Sequence, residues 1–291
     1  MASLKDIRLR IESTKNTQQI TKAMKLVSAA KLRKAQHNIT NMRPYAMTLK
    51  NIIADIAATQ KVTHPLMTKK ETVKSVLLVV LTSDRGLCGG FNSNINKFAD
   101  RYLTENKNNF EKIDIVFIGK RGIDFFARKK IKGIESFTKL DKDISYDFAK
   151  HIAEKLIAHY ESGSYDEIRL IYNEFKSAIS QKVTCETLLP VEIEKSSFSE
   201  GDHKFAADMI FDPAPEKIIE DLLKKNFNLQ VYRAMSESVA SEHGARMTAM
   251  ENATNNAKDM INKLTLNYNK ARQEKITTEL TEIVSGAESL K

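Results

Sequence analysis

Leu4, Ile7 and Ile11 open the chain at helical steps of three and four, and no helix breaker comes until Pro44; the first glycine is Gly86. Rich in Lys, Ala, Gln, Leu and Met, this stretch predicts one helix of about 65 Å at 1.5 Å per residue, running past Pro44 to near residue 60. Its apolar seam is expected to be interrupted by the polar run STKNTQQ (13–19) and to resume at Ile20, Met24 and Val27. The far end of the chain has the same character. After DPAPEK (212–217) there is no proline and the only glycines are Gly244 and Gly286. Pro213 and Pro215 suit a helix start, and the remaining C-terminal stretch predicts about 70 helical residues, roughly 105 Å. Its seam runs through Met250, Ala253, Ala257, Met260 or Ile261, Leu264, Tyr268 and Ala271. The phase then jumps to Ile276 and resumes through Leu280, Ile283, Ala287 and Leu290, a break of the kind that alters supercoiling locally.

The simplest arrangement packs the two terminal helices antiparallel. Length then matters. If both leave one central domain, the second overshoots the first by about 15 residues, roughly 20 Å. That overhang keeps an apolar stripe with no mate in its own chain, so it either seeks a partner or folds back on the central domain.

Between the helices, residues 73–211 alternate strand-like and helix-like segments. SVLLVVLT (75–82) reads as a buried strand, followed by a polar helix from about Asn92 to Leu103. IDIVFIG (113–119) reads as a second strand and KRGIDFFARKK as a turn and helix. SYDFAKHIAEKLIAHY (145–160) is an amphipathic helix, and DEIRLIYNEF and KVTCETLLPVEI are strands that suit an antiparallel edge. The expected fold class is therefore α/β: a long antiparallel coiled coil of N- and C-terminal helices (1–60 and 214–291) plus a central Rossmann-like domain (73–211).

Charge changes the picture at one end. Of a net +9, residues 1–58 supply +8, with 11 Lys and Arg against 3 acidic residues. Such a helix seeks anionic partners: nucleic acid, lipid head groups or an acidic protein surface. The longest apolar run, Val76 to Leu81, is too short for a membrane span, so no direct membrane insertion is expected. The two cysteines, Cys88 and Cys185, match no metal or redox spacing and are expected to be reduced thiols.

LTSDRGLCGGFN (81–92) follows a buried strand, where α/β enzymes hold phosphate. It lacks the lysine and hydroxyl of GxxxxGK[ST], and its glycines read G-x-x-G-G where a dinucleotide turn needs GxGxxG. GKRG (119–122) is equally incomplete. There is no HExxH, no ligand-like histidine pair and no GxSxG, and Cys88 beside Arg85 has no histidine base placed for it. No cofactor, metal or catalytic residue is expected. An ordinary tight connection or a partner-facing loop is the reading of 81–92.

Three segments carry a resemblance. SLKDIRLRIESTKNTQQITKAMKLVSAAKLRKAQ (3–36), SDRGLCGGFN (83–92) and SEHGARMTAMENATNNAKDMINKLTLNYNKARQEKITTELTEIVSGAESL (241–290) resemble the gamma subunit of F-type ATP synthases, of bacterial type, from end to end. The resemblance implies a rotary shaft inside a ring of alpha and beta subunits, with the central domain joining epsilon and the membrane c ring, and delta in the same complex. It implies that Lys22 and Met24 lie near the lever region of beta, and that Arg246, Arg272, Gln273 and Thr277 meet alpha and beta loops that grip the upper shaft. Asp84, Arg85 and Cys88 would lie on the domain face nearest beta, and Phe211, within DMIFDPAPE (208–216), where the foot meets epsilon and the c ring. The implied place is the cytoplasmic face of a bacterial plasma membrane, peripheral to it. Glu274 and Lys275 depart from the small residues usual there, and Leu26 replaces a common methionine. Two rivals remain on the residues alone: a nucleic-acid-binding coiled coil, for which no aromatic precedes Tyr45, and an enzyme at SDRGLCGG.

Overall fold

Ten elements arise from these patterns in the computed structural model, which describes residues 3–60, 64–138, 145–191 and 214–288. They are α1 (Leu4–Gln60), β1 (Ser75–Leu81), α2 (Phe91–Asn106), β2 (Lys112–Ile118), α3 (Lys120–Arg128), β3 (Glu135–Phe137), α4 (Tyr146–Glu161), β4 (Glu167–Phe175), β5 (Gln181–Leu189) and α5 (Pro215–Glu288). α1 carries Pro44 in its interior. The chain divides into two compact units, one of Ala30–Ala245 and one made by its two ends, Met1–Ala29 with Arg246–Lys291.

The larger unit is built on a five-stranded sheet of order β3-β2-β1-β4-β5. β1 pairs parallel with β2 and β4, β2 pairs parallel with β3, and β5 closes one edge antiparallel to β4. A parallel strand covered on both faces needs apolar residues at every position, which is why SVLLVVL reads as an unbroken apolar run. Leu77, Val79 and Leu81 face a core shared with Ile152 and Leu156 of α4, Ile53 and Ile56 of α1, and Leu223 and Phe227 of α5. Leu78 and Val80 face the opposite core, closed by Phe91 and Ile95 of α2 and Phe126 of α3. Ser145 caps α4, its Oγ accepting from the Phe148 amide at 3.2 Å, and the spacing of apolar residues along that helix places Ala149, Ile152, Ala153 and Leu156 inward.

The smaller unit is an antiparallel helix pair. Two contacts fix its direction: the hydroxyls of Thr21 and Thr254 lie 2.8 Å apart and share a hydrogen bond, and Lys25 Nζ donates to Glu251 Oε1 at 2.6 Å. Here the expected interruption of the α1 seam is corrected. The covered positions continue in heptad phase through Leu4, Ile7, Ile11, Thr14, Gln18, Thr21, Lys25 and Ser28. Ile20 and Val27 are instead 60% and 58% exposed. Each sits one residue off the seam, about 100° around the helix, so packing follows phase and not hydrophobicity.

Candidate functional site

The sheet order places β1 at a topological switch point, where its neighbours β2 and β4 are reached by connections running to opposite sides; α/β folds take ligands outside the carboxyl ends of the strands there. Loop 82–90 occupies that place. Beside it, α5 packs against the carboxyl end of β4. Ser241 Oγ of α5 donates to the Asn173 carbonyl at the end of β4 at 3.0 Å, and Asn173 Nδ2 donates to the Phe91 carbonyl at the start of α2 at 3.3 Å. A Cβ built on Gly244 of α5 would come within 3.0 Å of the Ala178 carbonyl. The glycine there lets the long helix pass the β4–β5 turn.

The glycines of GKRG have the same kind of work. Gly119 adopts φ +100°, and a Cβ on it would stand 2.1 Å from the Thr82 carbonyl. Gly122 donates its amide to Thr82 Oγ1 at 2.8 Å. These glycines let β1 and α3 approach, which is backbone clearance and not phosphate binding.

Loop 82–90 is tied on both sides. Ser83 donates its amide to Asn92 Oδ1 at 3.0 Å and its hydroxyl to the Arg85 carbonyl at 2.6 Å, and Asn92 Nδ2 donates back to Ser83 Oγ at 2.8 Å. Asp84 Oδ1 accepts the Lys120 amide at 2.8 Å, joining the loop to α3. Cys88 is 2% exposed and belongs to the α2 core. Its side chain points inward, while Arg85 is exposed and Asp84 half-buried.

The shaft residues sort differently. Lys22 is exposed and Met24 half-buried beside the seam, while Arg246 is buried. Arg272, Gln273 and Thr277 are exposed on α5, where Thr277 Oγ1 donates to the Gln273 carbonyl at 2.9 Å. Phe211 lies outside the described residues. Continuing the register set by Thr21–Thr254 toward the N-terminus brings Leu4 level with Ala271, and Ala271 is the last described residue of α5 that is not exposed. From Arg272 to Ala287 every residue is exposed, including Ile276, Leu280, Ile283 and Val284. The unmated apolar tip expected from helix lengths is present in the helix-pair unit.

Two further constellations have no counterpart among the sequence expectations. In the first, Arg233 of α5 donates to both oxygens of Glu186 (2.6 and 2.8 Å), to Glu237 (3.2 Å) and to the Tyr172 hydroxyl (3.3 Å), clamping the helix to β4 and β5. Burial pushes the Glu237 carboxyl up despite the opposing pull of Arg233, and burial also pushes Tyr172 up. Only the Arg233–Glu237 spacing of four is readable in sequence. In the second, Asp166 accepts from Lys70 Nζ (2.5 Å), the amides of Lys74 (2.9 Å) and Ser75 (2.8 Å) and the Ser75 hydroxyl (2.9 Å). Burial pushes its carboxyl up, and these four donors overcome it and hold it far below the usual carboxylate range.

No described helix is long and apolar enough to cross a membrane. The sequence profile of the family described as ATP synthase matches residues 3–290. The ATP synthase gamma chain of Bdellovibrio bacteriovorus is 70% identical over 294 residues, covering 100% of both chains, and that of Geobacter metallireducens is 46% identical over 292 residues, again covering 100% of both. Among solved structures, a chain of the Tetrahymena thermophila mitochondrial ATP synthase, from a structure of its central stalk and c ring, matches with TM-score 0.60 and 29% identity over 80% of this chain and 99% of that one. A chain of the Euglena gracilis mitochondrial ATP synthase shares the fold, with TM-score 0.69 and 23% identity over 99% of this chain and 94% of that one.

Proposed function

The chain belongs to the ATP synthase gamma-chain family, and on that premise we propose that its paired helices are the shaft of the central stalk, housed by alpha and beta subunits and turned by the membrane c ring. Rotation presents successive faces of an asymmetric shaft to the beta subunits, so that sites on other polypeptides bind, convert and release nucleotide in turn. On this reading the chemistry belongs to those other polypeptides, and loop 82–90, which lacks the phosphate-binding pattern, serves the packing of the domain.

The observation that carries this reading is the tip. Sixteen consecutive exposed residues, 272–287, keep a helical stripe of Ile276, Leu280, Ile283 and Val284. Leaving such a stripe in water forfeits about 25 cal/mol for every Å² that a sleeve would bury. Arg272, Gln273 and Thr277 at its base are the residues proposed to meet alpha and beta loops, together with Arg246 acting from a buried position through its neighbours. Lys22 and Met24 are proposed to face the lever region of beta, where the basic α1 meets acidic groups at long range. Asp84 and Arg85 are proposed for the domain face nearest beta, with Cys88 supporting them from beneath. Phe211 and its neighbours are proposed to join epsilon and the c ring, with delta elsewhere in the complex. The complex would sit peripherally on the cytoplasmic face of a bacterial plasma membrane, with no cofactor, metal or nucleic acid bound by this chain.

Limited trypsin digestion tests the placement of the tip. In the isolated chain, Arg272 and Lys275 are exposed cleavage sites and the C-terminal peptide should be released early. Assembled with alpha and beta subunits, the same bonds should be protected. Equal cleavage in both states would remove the tip from the sleeve and with it the shaft reading.

A further inference from the structure

At the amino ends of the strands, the end of the sheet away from loop 82–90, Asp166 joins Lys70 to the starts of β1 and β4. There the turn 64–68 and the end of α4 enclose an open cleft of about 630 Å³, a size that suits a small molecule. Its apolar wall is Pro65, Leu66 and the rings of Tyr160 and Tyr165, and the last three belong to the core beneath. The cleft is preformed. The Met67 amide and the Thr68 hydroxyl donate to the His64 carbonyl at 2.9 and 3.1 Å, and the Leu66 carbonyl accepts the Val191 amide at 2.7 Å. On the facing side the chain leaves α4 through Gly163, which adopts φ 72°, and a Cβ on it would meet nothing within 4 Å.

Tyr160 is the anomaly in this wall. It is only 8% exposed, yet among the described residues its hydroxyl has no hydrogen-bond partner. A buried tyrosine hydroxyl ordinarily finds one, because it has given up its bonds to water. Burial pushes the phenol up, so it stays a donor; the charge of Lys70 opposes that rise and the charge of Asp166 adds to it, which places both close by. Lys70 spends one ammonium hydrogen on Asp166 and keeps two others. The Leu66 amide donates to His64 Nδ1 at 3.2 Å, so the neutral ring carries its proton on Nε2 and is a donor there. The carboxylate at the rim, Glu161, is 3.8 Å from Lys224 Nζ, which also pairs with Glu220 at 2.7 Å. The cleft thus offers donors over an apolar wall, and what it lacks is an acceptor.

We propose that this cleft binds a small amphiphilic carboxylate, its anionic head taking hydrogen bonds from Tyr160, His64 and Lys70 and its apolar tail lying on Pro65, Leu66 and the ring of Tyr165. One negative charge matches the site: Lys70 already shares its own with Asp166, and no arginine fork lines the cleft to receive a doubly charged phosphate. The tail gains by leaving water, and the fixed turn lowers the ordering cost of binding. Every residue of the site belongs to the larger unit, so the inference does not depend on the shaft reading.

Calorimetric titration of the full isolated chain with octanoate tests the site, and octan-1-ol supplies the same tail without the charge. The unaltered chain should bind one octanoate, and the alcohol at least about tenfold more weakly. Tyr160→Phe should weaken octanoate binding about tenfold and leave the thermal midpoint of the ligand-free chain unchanged or raised, because the hydroxyl has no partner to lose. Gly163→Asn accepts the left-handed backbone and sends an amide side chain into the open space, so it should abolish binding in a chain that still folds. Octanoate bound equally well by both variants would place it elsewhere, such as on the exposed stripe of α5, and overturn the site. Equal affinity for acid and alcohol, or no saturable binding at millimolar octanoate, would do the same. A lowered midpoint in ligand-free Tyr160→Phe would show that the hydroxyl serves the fold and overturn its role as a waiting donor. None of these outcomes bears on assembly with alpha and beta subunits.

Discussion

Replacing Arg233 with methionine removes the guanidinium that holds α5 to the sheet edge and keeps most of the side chain's apolar stem. Four hydrogen bonds go with it, two of them to Glu186. What remains is Glu237, its side chain only 14% exposed and its Oε2 without a hydrogen-bond donor. Breaking a buried ion pair from one side costs roughly 3–5 kcal/mol, because a charge is left in a poor solvent. Glu186 and Arg233 are each about a third exposed, so water offsets part of that penalty and the expected loss at neutral pH is about 3 kcal/mol. For a unit of this size that corresponds to roughly 6–12 °C in thermal midpoint. The pH dependence carries a sign. Burial already lifts Glu237 above an ordinary carboxylate near 4.5, and Arg233 opposes that lift. Without Arg233 the folded state holds the Glu237 proton to still higher pH than the unfolded chain does. The folded state then binds more protons throughout that window, so the variant regains stability as pH falls and loses it as pH rises. Thermal unfolding followed by circular dichroism between about pH 5 and pH 8 reads both effects. Adding Glu237→Gln should recover part of the loss and flatten the slope. A loss below about 1 kcal/mol, or one that is the same at every pH, would refute the clamp as argued, since it would mean that Glu237 is adequately solvated without Arg233.

Asp166→Asn leaves one oxygen where four donors converge, and is expected to cost about 2–3 kcal/mol in urea denaturation. The Asp166 carboxyl is held below its unfolded value, so its contribution is full above the ordinary aspartate range and fades as pH falls toward the folded value; the stability gap between the unaltered chain and Asp166→Asn should therefore shrink in acid. Lys25→Glu sets two carboxylates side by side at the polar layer of the helix pair, but both partners are well exposed, so the expected loss is only about 0.5–1 kcal/mol. The swapped pair Lys25→Glu with Glu251→Lys should restore it, and high salt should erase the difference in thermal midpoint.

Both long helices are legible in sequence because their evidence is an absence: no glycine or proline interrupts Met1–Arg43, and none but Gly244 and Gly286 interrupts the stretch after Pro215. The strands β1, β2, β4 and β5 are legible as apolar runs or as a pair flanking a turn, whereas β3 has three residues, Glu-Ser-Phe, too few for any period to register. Ile20 and Val27 mislead because their hydrophobicity points to a seam whose position phase decides. Thr21 meets Thr254 on account of its place in the heptad, and the two hydroxyls satisfy one another where apolar side chains would be assumed. Arg233 and Glu186 are 47 positions apart, and Asp166 meets Lys70 across 96; no local pattern links such residues, because the fold alone brings them together.

The loop after β1 shows where sequence reasoning reaches its limit and why. Glycines at a strand-to-helix turn are compatible with phosphate, with close packing, and with presentation of a side chain, and the missing lysine argues only against the first. The choice between the other two depends on residues outside the motif: Ser241 and Gly244, which bring α5 against the end of β4 and the β4–β5 turn, and Asn92, which ties the loop down. With Asn92 and Asp84 tying the loop on both sides and Cys88 in the core beneath it, the turn is fixed by packing that no glycine pattern announces.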